Sequence, residues 1–219
     1  MKIYPVIHYL DEETARNEAA LAFECGATGI FLIAHHGHDG VLPYVAGSIR
    51  NAHKKFVGVN LLSETFFNAA MRVHNQNLDA VWLDYAGFSS AGIEDEDAIR
   101  LELLVSTTKL KVFAGVAFKY RRPEIDPVAA ALLAHNLGFI PTTTGVGTGN
   151  APNLEKIKSM ATAVHEKGGE LAIASGITPD NISEYISYAD HILVATGISL
   201  DDHHLNSEKL KLLIKSSDR

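Results

Sequence analysis

Cysteine, tryptophan, long apolar runs and positive charge are all scarce in this chain, and each scarcity removes a class of protein. Cys25 is the one cysteine among 219 residues, so no internal disulfide framework is possible, and its apolar neighbours assign it to packing. No apolar run reaches membrane-spanning length, and the N-terminus begins with strand-like residues rather than a basic segment, apolar core and cleavage site. A cytoplasmic protein without membrane insertion is expected. Nineteen Lys and Arg against 26 Asp and Glu give a formal charge of -7, which disfavours a phosphate-backbone interface with nucleic acid. A small anion would have to be held by local dipoles and a few donors, against the overall field.

What is present is apolar material in short, regular pieces. At 47% hydrophobic residues and with no biased stretch, residues 1–219 can bury one large core as one domain. Buried strands are expected at 3–8, 29–34, 56–62, 80–84, 111–119, 138–144, 171–175 and 191–195, each an apolar run bounded by polar or glycine residues. Helical spacing or helix-start signals follow each of them. Asp11 and its acidic neighbours open the first helix, whose Ala15, Ala19, Ala22 and Phe23 share a face. Ser63 or Glu64 starts the third, and Pro127 opens the fifth. Thr178 with Pro179 behind it predicts a seventh helix reaching about Tyr188.

Eight strands, each followed by a helix and with no hairpin signal between them, give a (β/α)8 TIM barrel, with an open doubly wound sheet as the alternative that periodicity cannot separate. The strand ends then converge on one mouth. They supply His8, His35, Asn60, Asp84, Lys119, Thr143 or Thr144, Ser175 and Thr196, polar groups closing apolar runs.

The stretch from Ile140 to Pro152 is the richest of these, with three threonines and then Gly145, Gly147 and Gly149 between a strand and a helix. Its Thr144 and Thr148 hydroxyls can meet a ligand, and its amides suit an anion. The spacing matches neither the dinucleotide fingerprint nor a P-loop, and no cofactor is implied. The loops after strands seven and eight, carrying Ser175-Gly176 and Thr196-Gly197, are the usual phosphate site of this fold, although Asp180 would compete for the same positive end. Lys119 precedes Tyr120, Arg121 and Arg122, so positive charge gathers beside the mouth; an ammonium paired with Asp84 or a substrate anion fits better than a Schiff base. Asp84 could act as general base or hold a sugar hydroxyl, and His8 could move a proton near neutral pH. His35, His36, His38 and Asp39 have ligand chemistry, but neighbouring strand-end residues point apart, so a solvated polar loop is expected and no metal is assigned. The same holds for Asp201 to His204.

Five segments together resemble the BtpA family, which includes SgcQ-like barrels: Pro5–Tyr9, Gly58–Leu62, Phe118–Pro123, Thr144–Pro152, and Ala174–Asn181 followed by Val194–Gly197. The resemblance implies a TIM barrel with a ligand site; some members are linked to photosystem I biogenesis and others to sugar utilisation. The chain departs from the family in a short loop after strand one and in the histidines after strand two. The expected function is that of an enzyme or ligand-binding protein for a small phosphorylated metabolite, a sugar phosphate or phosphoribosyl compound. Ser175, Gly176, Thr196 and Gly197 would grip the phosphate, Asn60, Thr143, Thr144 and Thr148 would contact the rest, and Asp84, Lys119 and His8 would be catalytic. Isomerisation, hydrolysis and glycosyl or phosphoribosyl transfer stay open. So do a non-catalytic assembly factor of the photosystem type, a metal-dependent hydrolase, and a homo-oligomer.

Overall fold

A computed structural model describes residues 1–35 and 37–217. Eight parallel strands close into a barrel: β1 (Lys2–His8), β2 (Gly29–Ile33), β3 (Phe56–Asn60), β4 (Ala80–Leu83), β5 (Lys111–Gly115), β6 (Ile140–Thr143), β7 (Ala172–Ile173) and β8 (His191–Val194). Each strand pairs with its neighbours in sequence, and β1 pairs with β8 through Lys2 to Pro5 against His191 to Val194, which closes the ring. Helices α1 (Glu12–Glu24), α2 (Leu42–His53), α3 (Phe66–Asn75), α4 (Asp97–Thr107), α5 (Pro127–Asn136), α6 (Leu154–His165) and α7 (Ser207–Ser217) form the outer layer. None of the described helices is long and apolar enough to cross a membrane.

Alternation along the strands makes two cores. Ile3, Ile7, Ile30, Leu32, Val57, Val59, Val81 and Ile173 point outward onto Ala15, Ala19, Ala69, Ala70, Ile157 and Met160 of the helices. The inward residues include Tyr4, Phe31, Trp82, Phe113, Ala172 and Leu193. Phe31 lies edge-on to Tyr4, Trp82 and Phe113, a geometry that suits ring quadrupoles. A Cβ on Gly58 would come 2.3 Å from the Phe31 ring, so the glycine gives that ring its place in the barrel.

Three expectations need correcting. The helix after β7 is absent; residues 178–188 hold one 3-10 turn, Ile182–Glu184. The Asn181 side chain accepts from the Thr178 amide at 2.8 Å, as in a capping box, and donates to the Gly176 carbonyl at 2.9 Å, and Ile182 bonds the Thr178 carbonyl, but the turn so begun is not continued. A hairpin does occur after β4, pairing Phe88–Ser89 with Gly92–Ile93 around a Ser-Ala turn that lacks the usual Asn-Gly signal. Finally, β5 stops at Gly115, four residues short of Lys119, because Ala117 and Tyr120 take left-handed conformations (φ +47° and +62°) that lift the chain over the mouth.

The closed end of the barrel carries a half-exposed charge cluster around one buried histidine. His191, fully buried, faces Tyr4 (3.3 Å to the hydroxyl) and Glu170 (3.2 Å), and Glu170 also meets Lys2 at 2.8 Å and Lys111 at 3.7 Å. Burial pushes the His191 pKa down to about 4. Burial alone would raise Glu170, but Lys2, His191 and Lys111 outweigh it and bring its pKa to about 2. The unfolded chain therefore takes up protons first at both groups, and stability should fall as pH drops from about 6.5 to 4 through His191, and further from about 4.5 to 2 through Glu170. Urea midpoints measured between pH 7 and 4 should decline in the wild type and decline less steeply in His191→Leu; equal slopes would remove the histidine from this account.

Candidate functional site at the barrel mouth

Three loops interlock at the open end. The chain after β6 folds back so that a Cβ on Gly176 would stand 2.1 Å from the Ala151 nitrogen and the Asn150 carbonyl carbon; Gly176 also has φ +67°. A Cβ on Gly197 would stand 2.1 Å from the Ile177 carbonyl oxygen, and one on Gly145 2.1 Å from that of Asn150. The Ser175 hydroxyl donates into the same loop, 3.0 Å from the Gly147 carbonyl oxygen and 3.2 Å from that of Asn150. Glycine is thus required where backbone passes over backbone. The amides of Gly176 and Gly197 make no hydrogen bond to a described residue, and neither does the Thr196 hydroxyl.

These groups line a cleft of about 560 Å³ together with His8, His35, Lys119, Thr148 and Gly149; its floor is Val6, Ile33, Trp82, Ala174 and Leu193. Lys119 reaches Thr148 (3.2 Å), whose amide donates to the Tyr120 hydroxyl. The lysine also borders a second, wider trough of about 1010 Å³ that holds Asn60 and Asp84. Asn60 donates to Asp84 at 3.1 Å. Burial raises the Asp84 pKa, opposed by that bond and by the charges of Lys119 and Arg121. Burial, with His35 and His203 beside it, lowers the pKa of His8, so the imidazole is neutral at physiological pH.

His8, Lys119, Thr148, Ser175, Gly176, Thr196 and Gly197 border the first cleft, and Asn60 and Asp84 border the adjoining trough. Thr143 and Thr144 border neither and are fully buried. Thr143 faces outward and accepts from Lys156 at 3.0 Å; Thr144 accepts the Lys119 amide at 2.7 Å and donates to the Gly145 carbonyl. Both hydroxyls hold loops, as Ser175 does, which leaves their contacts to protein groups rather than to a ligand. Lys156, in the first turn of α6, also donates to the Thr144 carbonyl, and nothing in the sequence pattern marked it.

In the histidine-rich loops His35, His38, Asp201, Asp202 and His204 are exposed, and Asp39 is the exception. Asp39 is buried and accepts from the Ser63 amide and hydroxyl at 2.6 and 2.7 Å, tying the loop after β2 to the one after β3. Asp201 caps the amides of His203 and His204, and His203 reaches the His8 carbonyl at 3.0 Å. His8 and His35 lie edge to face, centroids 4.9 Å apart. Among the described residues no three His, Cys, Asp or Glu side chains form a metal-binding group; His36 lies outside the described residues.

The BtpA family model matches residues 41–218. The chain belongs to the BtpA family. In this BtpA-family barrel the match runs from the start of α2 to the end of α7. Comparison with proteins of curated function gives no significant match. Solved structures of similar shape include phosphoribosylanthranilate isomerase from Thermotoga maritima (14% identity, covering 100% of this chain and 98% of that one, TM-score 0.68). They also include 3-keto-L-gulonate-6-phosphate decarboxylase from Vibrio cholerae (12%, 100% and 97%, 0.69) and 2-keto-3-deoxy-6-phospho-gluconate aldolase from Zymomonas mobilis (13%, 99% and 91%, 0.63). At such identities the likeness shows the fold alone.

The loop knot makes a quantitative expectation. Gly176→Ala places a side chain into backbone at a left-handed residue and should cost at least about 2 kcal/mol. Ser175→Ala, losing hydroxyl bonds only, should cost about 1 kcal/mol. Chemical denaturation checks both; an alanine at 176 as stable as the wild type would show that the loops are not packed as described.

Proposed function

We propose that this BtpA-family barrel is an enzyme acting on a small phosphorylated metabolite, a sugar phosphate or phosphoribosyl compound, bound at the mouth with its phosphate against the loops after β7 and β8. The observation that carries this is the pair of unpartnered amides, Gly176 and Gly197, held by interlocked loops on the rim of a cleft that Lys119 also borders. Fixed N–H donors beside an ammonium favour a compact dianion, and they cost no reorganisation because the glycines cannot move apart without breaking the knot. The Thr196 hydroxyl adds a donor. Several barrels of the same shape carry phosphorylated compounds in their names, which agrees with this assignment.

Asp84, Lys119 and His8 are the proposed reacting or positioning groups. Asp84, whose burial raises its pKa above the ordinary carboxylate value, can exchange a proton with a carbon or hydroxyl of the ligand, and Asn60 fixes its orientation. Lys119 stands between the phosphate and Asp84 and can neutralise charge that develops on an oxygen there. Neutral His8 can give or take a proton from the far wall. Isomerisation, hydrolysis and glycosyl or phosphoribosyl transfer can each use this set of an anion grip, one carboxylate and one cation.

A thermal-shift screen of phosphorylated sugars and nucleotides tests the assignment. A ligand at 100 times its Kd adds about 2.7 kcal/mol of stability, a shift of several degrees for a chain of this size. Asp84→Asn should retain that shift while turnover of the same compound drops by about a hundredfold or more. Absence of any shift at millimolar concentrations across the panel would contradict the assignment.

A further inference from the structure

Arginine pairing is uneven. Arg16 bonds Glu12, Arg50 bonds Asp79, Arg72 bonds Glu64, Arg100 bonds Asp97 and Arg122 meets Glu94. Arg121 differs from these five: it makes no ion pair with a carboxylate among the described residues. Its guanidinium lies 4.5 Å over the ring of Tyr85, and Tyr85 is itself fixed by its hydroxyl, which donates to Glu94 at 2.9 Å. A guanidinium stacked on an aromatic face is held in one plane with its in-plane N–H donors outward, the arrangement that meets a carboxylate or phosphate edge-on.

Arg121 is exposed and borders three adjoining clefts, among them the trough that contains Asp84, Asn60 and Lys119. The other carboxylates of that trough are occupied: Glu64 by Arg72, and Asp95 by the Asp97 amide at 2.9 Å. Asp84, engaged by Asn60, and Glu94, engaged by Tyr85, feel the Arg121 charge without an ion pair to it. In a chain of net charge -7, a guanidinium laid over Tyr85, with no ion pair among the described residues and next to the cleft that offers an anion grip, is a placed group rather than a by-product of composition.

We infer that the ligand has two anionic ends, one phosphate on the Gly176 and Gly197 amides and a second phosphate or carboxylate on Arg121, with Lys119 and Asp84 facing the atoms between. This rests on the phosphate site proposed above and narrows its substrate class from any phosphorylated metabolite to doubly anionic ones, such as a sugar bisphosphate or a phosphorylated sugar acid.

Titration calorimetry with three probes, ribose 5-phosphate, ribulose 1,5-bisphosphate and 6-phosphogluconate, tests it on the full chain. At least one of the two-ended compounds should bind about tenfold or more tightly than ribose 5-phosphate. Arg121→Gln should bring that compound down to the ribose 5-phosphate affinity and leave ribose 5-phosphate itself unchanged, Arg121→Lys should recover part of the difference, and Arg122→Gln should change neither. If ribose 5-phosphate binds and neither two-ended compound exceeds it, or if Arg121→Gln weakens all three equally, the second anion site is wrong and the phosphate site survives. If none of the three binds, both proposals fail together.

Discussion

Backbone passing over backbone at Gly176 is the constraint on which the mouth depends. The loop after β6 can cross the end of β7 only because residue 176 has no side chain and accepts a left-handed φ, and the loop after β8 can close against Ile177 only because residue 197 is also glycine. Ser175 adds two hydrogen bonds to the crossing. The crossing leaves two amides without a hydrogen-bond partner among the described residues on a cleft wall, where they form a fixed positive rim. The rim needs no helix dipole: the segment after β7 contains only a three-residue 3-10 turn, so the local field comes from the loop amides themselves and from Lys119.

The two ends of the barrel handle charge in opposite ways. At the closed end, Lys2, Lys111, Glu170 and buried His191 satisfy one another, and the pKa shifts there are stability terms. At the open end, Lys119 and Arg121 have no carboxylate ion pair among the described residues, and the half-buried carboxylate Asp84 is kept from full solvation. Two such cations beside one partly desolvated carboxylate suit a binding site for an anion.

Much of the fold was legible in the sequence because buried parallel strands are short apolar runs, and eight of them with helices between leave few architectures. What failed did so for local reasons. After β7 the start signal was real, since Ile182 bonds the Thr178 carbonyl, but one turn is all that forms, and a start signal says nothing of how far a helix runs. The Ser-Ala hairpin carries no turn signature, and left-handed Ala117 and Tyr120 use residues that seldom adopt that conformation. At the site, sequence order could not tell a hydroxyl facing the cleft from one facing a loop, nor that Lys119 stands past the end of its strand. Thr143, Thr144 and Ser175 are polar residues near strand ends like Thr196, yet their hydroxyls bond to protein, and that of Thr196 bonds to no described residue. Lys156 was invisible because it comes from a helix, and Arg121 stood out only once every other described arginine was seen to be paired.

The central claim is that the anion grip is made of main chain at Gly176 and Gly197. A two-dimensional 15N NMR titration of the protein with inorganic phosphate tests it directly. The account predicts that the amide resonances of these two glycines move first and farthest, saturating with one common affinity. Phosphate binding that shifts lysine-rich surface segments while both glycine amides stay in place would contradict it.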